Sequence, residues 1–156
     1  DNLRKAAPVA LADLRVWNDG PVRLLGPKPE SNPPIRINVA GVVDWATYGA
    51  GYTTPRLGTP VENPGIYHDS APIYFMEKLA RPLLILHGTN DRNVQFRDSL
   101  RLWDQLLKLG KPFEMGVYPG EIHFFRRAHI LRDAWRRAEE FFDRYLKNGA
   151  AVTSSR

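Results

Sequence analysis

Three short apolar runs limit what this chain can fold into: IRINVAGVV at 35–43, LLILH at 83–87 and FEMGVY at 113–118. Each has the length and composition of a buried strand. The segments between and after them carry helical spacing. RDSLRLWDQLLKLGK (97–111) predicts a helix with Leu100, Trp103, Leu106 and Leu107 on one face and Gly110 as its C-terminal cap. The last helix spaces Leu131, Trp135, Ala138, Phe142 and Tyr145 by 4, 3, 4 and 3 residues, with Glu140 and Arg144 as an exposed pair. Strand–helix–strand–helix–strand–helix order predicts the α/β class: a mostly parallel sheet flanked by helices on both faces.

The intervening stretches are less regular. Asp44 is placed to cap a short helix in DWATYGAGY (44–52). The Gly/Pro-rich stretch 53–66 predicts a loop, followed by a short helix around 71–79 that Arg81-Pro82 ends. Residues 1–36 stand apart, holding Pro8, Pro21, Pro27, Pro29, Pro33 and Pro34, six of the 13 prolines. GPKPESNPP (26–34) predicts a loop or linker, because proline lacks the N–H and restricts the residue before it. The expected organisation is therefore a Pro-rich segment over 1–36, one α/β unit over 37–147 and a disordered tail over 148–156.

Composition excludes several classes. At 156 residues the chain has one domain's length, with 43% hydrophobic and 25% charged residues. No apolar run approaches the roughly 18 residues of a membrane-spanning helix. There is no cysteine, hence no disulfide and no thiolate metal site, and the four histidines are not grouped as metal ligands. Neither a metal nor a cofactor is expected. Net charge is +5, but the bases are interleaved with acids, as in RRAEEFFDR (136–144), rather than clustered. Nucleic acid is therefore not an expected partner. No signal peptide is visible in DNLRKAAPVALADLRVW. A mature exported chain would also lack one, so the compartment, periplasmic, secreted or cytoplasmic, stays open.

In a parallel sheet, functional residues lie in loops beyond the carboxyl ends of the strands. Asp91 follows the second run and His123 the third, so both belong on one rim. An acid and a histidine after adjacent strands suit the orienter and base of a nucleophilic hydrolase. The carboxylate fixes the imidazole tautomer and the imidazole takes the nucleophile's proton. In α/β-hydrolases the chain order is nucleophile, acid, histidine, and Asp91 with His123, 32 residues later, fits the last two. Taken singly, Asp91 also suits a turn closed through its own backbone, and His123 a satisfied loop histidine. His87 is read as a structural hydrogen-bonding residue.

The stretch from Arg81 to Phe125 resembles the C-terminal part of the catalytic domain of the prolyl oligopeptidase family, and most closely its dipeptidyl peptidase IV branch. The motifs are HGTNDRNV (87–94), LGKPFE (109–114), YPGEIH (118–123) and, upstream, GVVDWATYGAGYTTPRLGTPVENPGIY (41–67). The resemblance covers about residues 37–147 and implies an α/β-hydrolase fold. It implies a serine-type peptidase acting after proline, with Asp91 and His123 as triad members and a peptide as substrate. It further implies that Val42, Trp45, Tyr48, Tyr52 and Val94 line a pocket for the proline ring, and that Asn93 hydrogen-bonds the substrate carbonyl. Trp45, Tyr48 and Tyr52 step by 3 and 4, so one helical face suffices to carry them; flat rings make an apolar slot that a proline ring fits. The alternative is that these rings pack in the core. Phe124 departs from the family, which commonly has glycine after the histidine.

The nucleophile is the missing member. None of Ser31, Ser70, Ser99, Ser154 and Ser155 lies in a Gly-x-Ser-x-Gly elbow, and the family's layout would put that elbow within residues 1–36. The oxyanion donor beside it, the family's upstream β-propeller and the residues reading the substrate's free N-terminus are also not recognisable. The expectation is a piece of a longer peptidase, inactive alone. Its candidate partners are the N-terminal part of the catalytic domain or a second copy of the chain. A non-catalytic peptide-binding relative and a different α/β-hydrolase, such as an esterase or an acylaminoacyl peptidase, are the competing readings.

Overall fold

A computed structural model of the chain describes residues 15–17 and 36–147. The loop expected over 26–34 and the tail expected over 148–156 lie outside the described residues. Four parallel strands form one sheet in the order β1–β2–β3–β4: β1 (Arg15–Trp17), β2 (Arg36–Val39), β3 (Leu83–Gly88) and β4 (Phe113–Tyr118). The three apolar runs supply β2, β3 and β4. β1 pairs with β2 from Arg15 opposite Arg36 to Trp17 opposite Asn38, and three residues are too few to show a strand period. β2 is shorter than its run. It stops because Ala40 turns into the left-handed region at φ 49°, and the Asn38 side chain accepts the Gly41 N–H at 2.8 Å.

β3 is buried at all six positions. Alternation along a strand sends successive side chains to opposite faces. Leu83 and Ile85 pack with Met76, Leu79, Leu102 and Leu106, whereas Leu84 and Leu86 pack with Ile37, Ala134, Ala138 and Phe141. The sheet is thus covered on both faces. The two crossovers, from β2 to β3 and from β3 to β4, lie on one face, and the last helix lies on the other.

The helices depart from the sequence expectation in their phase. α3 (Phe96–Lys108) buries Asp98, Ser99, Leu102 and Leu106. Leu100, Trp103 and Leu107, expected on its inner face, are exposed. Two polar residues occupy the inner stripe, so counting apolar residues picked the wrong side. Gly110 does end the helix, at φ 61°. Its N–H reaches the Leu107 carbonyl and the Lys111 N–H reaches the Leu106 carbonyl, a Schellman cap.

α4 (Ala128–Phe142) buries Ala134, Ala138 and Phe141, while Trp135 is 73% exposed and Leu131 is exposed as well. Small residues set this face. Ala134 and Ala138 let the helix approach the sheet where Gly116 of β4 presents no side chain; a Cβ there would lie 2.7 Å from Leu86 and 3.3 Å from Arg137. Arg144 pairs with Glu114 of β4 and not with Glu140, which instead meets Arg136 at 2.8 Å.

The stretch 53–66 is not simply a loop. α1 (Ala50–Leu57) runs through Pro55, and α2 (Pro64–Ser70) begins with Pro64 in its first turn, where a missing N–H costs nothing. The helix expected around 71–79 is a 3-10 run over Pro72–Lys78, kinked at Phe75.

Candidate functional site

Three loops meet beyond the carboxyl ends of β2, β3 and β4. The loop after β3 turns immediately, and the loop after β4 lies against it. The Thr89 N–H reaches the Tyr118 carbonyl at 3.0 Å, the Asn90 N–H reaches the Glu121 carbonyl at 2.9 Å, and the Gly120 N–H reaches Thr89 Oγ1 at 2.9 Å. Gly88 makes this approach possible, because a Cβ on it would run into the Glu121 backbone carbonyl.

This seam delivers Asp91 to His123. The Asp91 side chain is wholly buried, and His123 Nδ1 donates to Asp91 Oδ2 at 2.8 Å. With Nδ1 so engaged, Nε2 is the nitrogen left to act as a base. Asp91 Oδ1 accepts the backbone N–H groups of Asn93 at 2.8 Å and Val94 at 3.0 Å, and Oδ2 also accepts from His87 Nε2 at 3.1 Å. A buried carboxylate is tolerable only with such satisfaction. Asp91 therefore closes its own turn and also accepts from His123. Phe124 is exposed and sets its ring edge-on to His123 at 4.9 Å between centroids. The Asp91–His123 bond is made in its presence.

The histidine loop has its own anchor, Glu121, which the sequence reading passed over. It is buried, accepts the Arg126 N–H at 2.7 Å and pairs with Arg127, whose guanidinium also donates to the Pro119 carbonyl. The Arg127 hydrogen bond holds the Glu121 carboxyl below its ordinary value of 4.5. A carboxylate two residues before the histidine in YPGEIH was the available signal.

The residues expected to line a pocket form one assembly. Val42, Trp45, Tyr67 and Val94 are buried together, with Tyr48 and Leu57 packed against them. Tyr67 was not foreseen. Trp45 meets Tyr48 edge-on at 5.5 Å and stacks on Tyr52 at 6.0 Å, and Tyr48 meets Tyr52 edge-on at 5.6 Å. They do not share a helical face. Trp45 opens a 3-10 turn (Trp45–Thr47), Tyr48 is extended, and Tyr52 lies in α1. The Gly49 break folds α1 back so that the rings converge. The Tyr48 hydroxyl donates to Asn93 Oδ1, which ties the aromatic group to the Asp91 loop. Trp45 is buried and Tyr52 exposed, so the assembly runs from core to surface.

Asp44 anchors this turn. Its Oδ1 accepts the Ala46 N–H at 3.0 Å, as the sequence implies, and its Oδ2 takes Arg101 of α3 at 2.8 Å. The Asp44 hydrogen bond raises the Arg101 value above the ordinary one.

The family profile described as prolyl oligopeptidase family matches residues 35–149. The chain belongs to the prolyl oligopeptidase family. Within it the likeness is to the dipeptidyl peptidase IV-like branch. Dipeptidyl peptidase 8 of Mus musculus is 36% identical over 97 residues, which is 59% of this chain and 11% of that protein, and the Homo sapiens protein of the same name matches to the same extent. The crystal structure of Porphyromonas gingivalis dipeptidyl peptidase 4 superposes with a TM-score of 0.67 at 29% identity, covering 69% of this chain and 15% of that one. The chain thus spans about a tenth of the length of the curated relatives it matches. Its parallel sheet with flanking helices is the C-terminal half of an α/β-hydrolase fold. Among the described residues, no helix is long and apolar enough to cross a membrane, and no group of three or more His, Asp or Glu residues is placed to hold a metal ion.

Proposed function

We propose that this chain contributes the acid and base of a serine-type peptidase site that cleaves peptide bonds after proline, with Asp91 as orienter and His123 as base. One observation carries the reading: a wholly buried carboxylate with four donors, one of them His123 Nδ1 at 2.8 Å. In the intact site, His123 Nε2 takes the proton of the serine hydroxyl as it attacks the scissile carbonyl. Asp91 stabilises the imidazolium that results, and the same proton then passes to the leaving amine. The aromatic group of Trp45, Tyr48 and Tyr52, with Val42 and Val94 at its base, receives the proline ring. Asn93, beside it, faces the substrate carbonyl.

The nucleophile comes from outside the 156 residues, because no serine in them stands in an elbow. The test is to incubate the chain with a chromogenic X-Pro substrate and a fluorophosphonate probe, alone and with an added segment carrying a Gly-x-Ser-x-Gly elbow. Turnover and serine labelling are expected only with that segment. Turnover by the chain alone, with one of its own serines labelled, overturns the proposal. A second reading, peptide binding without chemistry, draws on the same aromatic assembly. Calorimetry with a proline-containing peptide separates the two: it favours this reading when binding is tight, depends on Trp45 and no added segment produces turnover.

A further inference from the structure

We propose that His87 is a positioning residue which, with Ser99, holds the Asp91 carboxylate in the orientation that His123 requires. This deepens, and rests on, the reading of Asp91 and His123 as acid and base.

The geometry settles which nitrogen of His87 carries the proton. Nε2 faces two acceptors, Asp91 Oδ2 at 3.1 Å and the Val94 carbonyl at 3.0 Å. Two acceptors at one nitrogen require an N–H there. Nδ1 faces Ser99 Oγ at 2.6 Å, and a hydroxyl can donate to it. His87 therefore carries a proton on Nε2, and its neutral form is the Nε2–H tautomer with Ser99 donating to Nδ1. It is buried completely, with the Phe96 ring edge-on at 5.6 Å. Burial pushes its value below that of an ordinary histidine, against the pull of the Val94 carbonyl and Asp91. The titratable groups facing it are Asp91 and His123.

A carboxylate offers about four lone-pair directions in its plane, and all four of Asp91's are filled. Two backbone N–H groups take Oδ1, while His87 and His123 share Oδ2. Rotating the group would break these bonds together. Of the two imidazoles on Oδ2, loss of His87 leaves His123 alone to orient it. Ser99 of α3 bonds His87, so through that imidazole the carboxylate is referenced to a helix as well as to its own turn.

Ser99, His87 and Asp91 together have the residue types of a catalytic triad, yet they cannot form one. Ser99 and His87 are both 0% exposed, so no scissile carbonyl can reach the hydroxyl. What remains for this trio is support.

The test is proton–nitrogen NMR of the imidazoles in the full 156-residue chain. The wild-type His123 Nδ1–H···Asp91 proton should give a far-downfield resonance. His87→Phe keeps a flat ring but removes the donor, and should abolish that resonance through at least tenfold faster exchange with solvent. His87→Gln keeps a donor and should retain it. A folded His87→Phe chain with the resonance unchanged overturns the proposal. If that variant does not fold, the wild type decides: His87 should carry its proton on Nε2 alone, unchanged from about pH 5 to about pH 8, where an ordinary histidine titrates. A proton on Nδ1, or titration in that range, overturns it. Asp91→Ala separates this inference from the reading beneath it. If the His123 resonance survives Asp91→Ala, the acid–base assignment fails. If it is lost there but survives His87→Phe, only the positioning role fails.

Discussion

The guanidinium of Arg101, in the middle of α3, donates to the buried carboxylate of Asp44 at 2.8 Å, and that carboxylate caps the turn that opens with Trp45. The helix that follows the acid loop therefore fixes the start of the aromatic assembly as well. Arg101 Nη1 also reaches Thr47 Oγ1 at 3.2 Å, so one planar fork spans the turn. Arg101→Met leaves a nearly buried charge unpaired and should cost roughly 1–3 kcal/mol in urea denaturation. Arg101→Lys should recover only part of this, because an ammonium cannot span both acceptors. Trp45 fluorescence should shift to the red in Arg101→Met, well below the unfolding transition. A full recovery by lysine would show that charge alone, and not the fork, holds the turn.

Gly88 makes a second, steric link between the loops. A methyl group here must displace the Glu121 backbone, which is less yielding than a side-chain tip. Gly88→Ala should lose about 1–3 kcal/mol of stability, the usual cost of overpacking. It should also weaken the His123 Nδ1–H···Asp91 contact, seen as a broadened downfield proton. Gly49→Ala is the control, since a Cβ there meets nothing within 4 Å, and it should leave that signal unchanged.

Much of this site is legible in the sequence. β3 and β4 announce themselves as short apolar runs, and strand order alone puts Asp91 and His123 on one rim. What was not legible has common physical causes. β1 is three residues long. Ser99 pairs with His87 of β3, and Glu121 pairs with Arg126 and Arg127 further along its own loop, and neither contact has a strand or helix period to announce it. The aromatic rings do converge, but through a break at Gly49 and not through helical stepping, because Tyr48 leaves the 3-10 turn in an extended conformation. The faces of α3 and α4 were misplaced for opposite reasons. Polar Asp98 and Ser99 sit on the buried side of one, and large Leu131 and Trp135 sit on the exposed side of the other.

Glu121 gives the histidine loop a pH dependence of known sign. Its folded value lies below its ordinary 4.5 because Arg127 and the Arg126 N–H favour the charged form. A depressed carboxyl stabilises the fold above its unfolded value and loses that contribution as pH falls through the folded value. Glu121→Gln should therefore be less stable than wild type at neutral pH. The gap should close as the medium is acidified past the ordinary carboxyl range, because the wild-type group is then protonated too. Chemical denaturation of both proteins across that range is the measurement. A gap that stays constant in acid would mean that Glu121 acts through packing and not through its charge.

The phase of α4 can be decided by two truncations. Phe141 is completely buried against Leu84, Leu86 and Tyr118, while Trp135, the larger residue, is 73% exposed. Removing a buried phenylalanine costs about 3–5 kcal/mol, from lost transfer energy and the cavity left behind. An exposed side chain away from such contacts is worth within about 0.5 kcal/mol. Phe141→Ala should therefore destabilise severely and Trp135→Ala hardly at all. The spacing of Leu131, Trp135, Ala138 and Phe142 alone would rank them the other way. The small residues explain the outcome: Ala134 and Ala138 bring the helix axis close to β3 and over Gly116, and that approach turns position 141 inward. Ala138→Leu should push the helix off the sheet at a cost of about 1–3 kcal/mol. The same two truncations, read by urea denaturation with matched slopes, would reject this packing if Trp135→Ala proved the costlier.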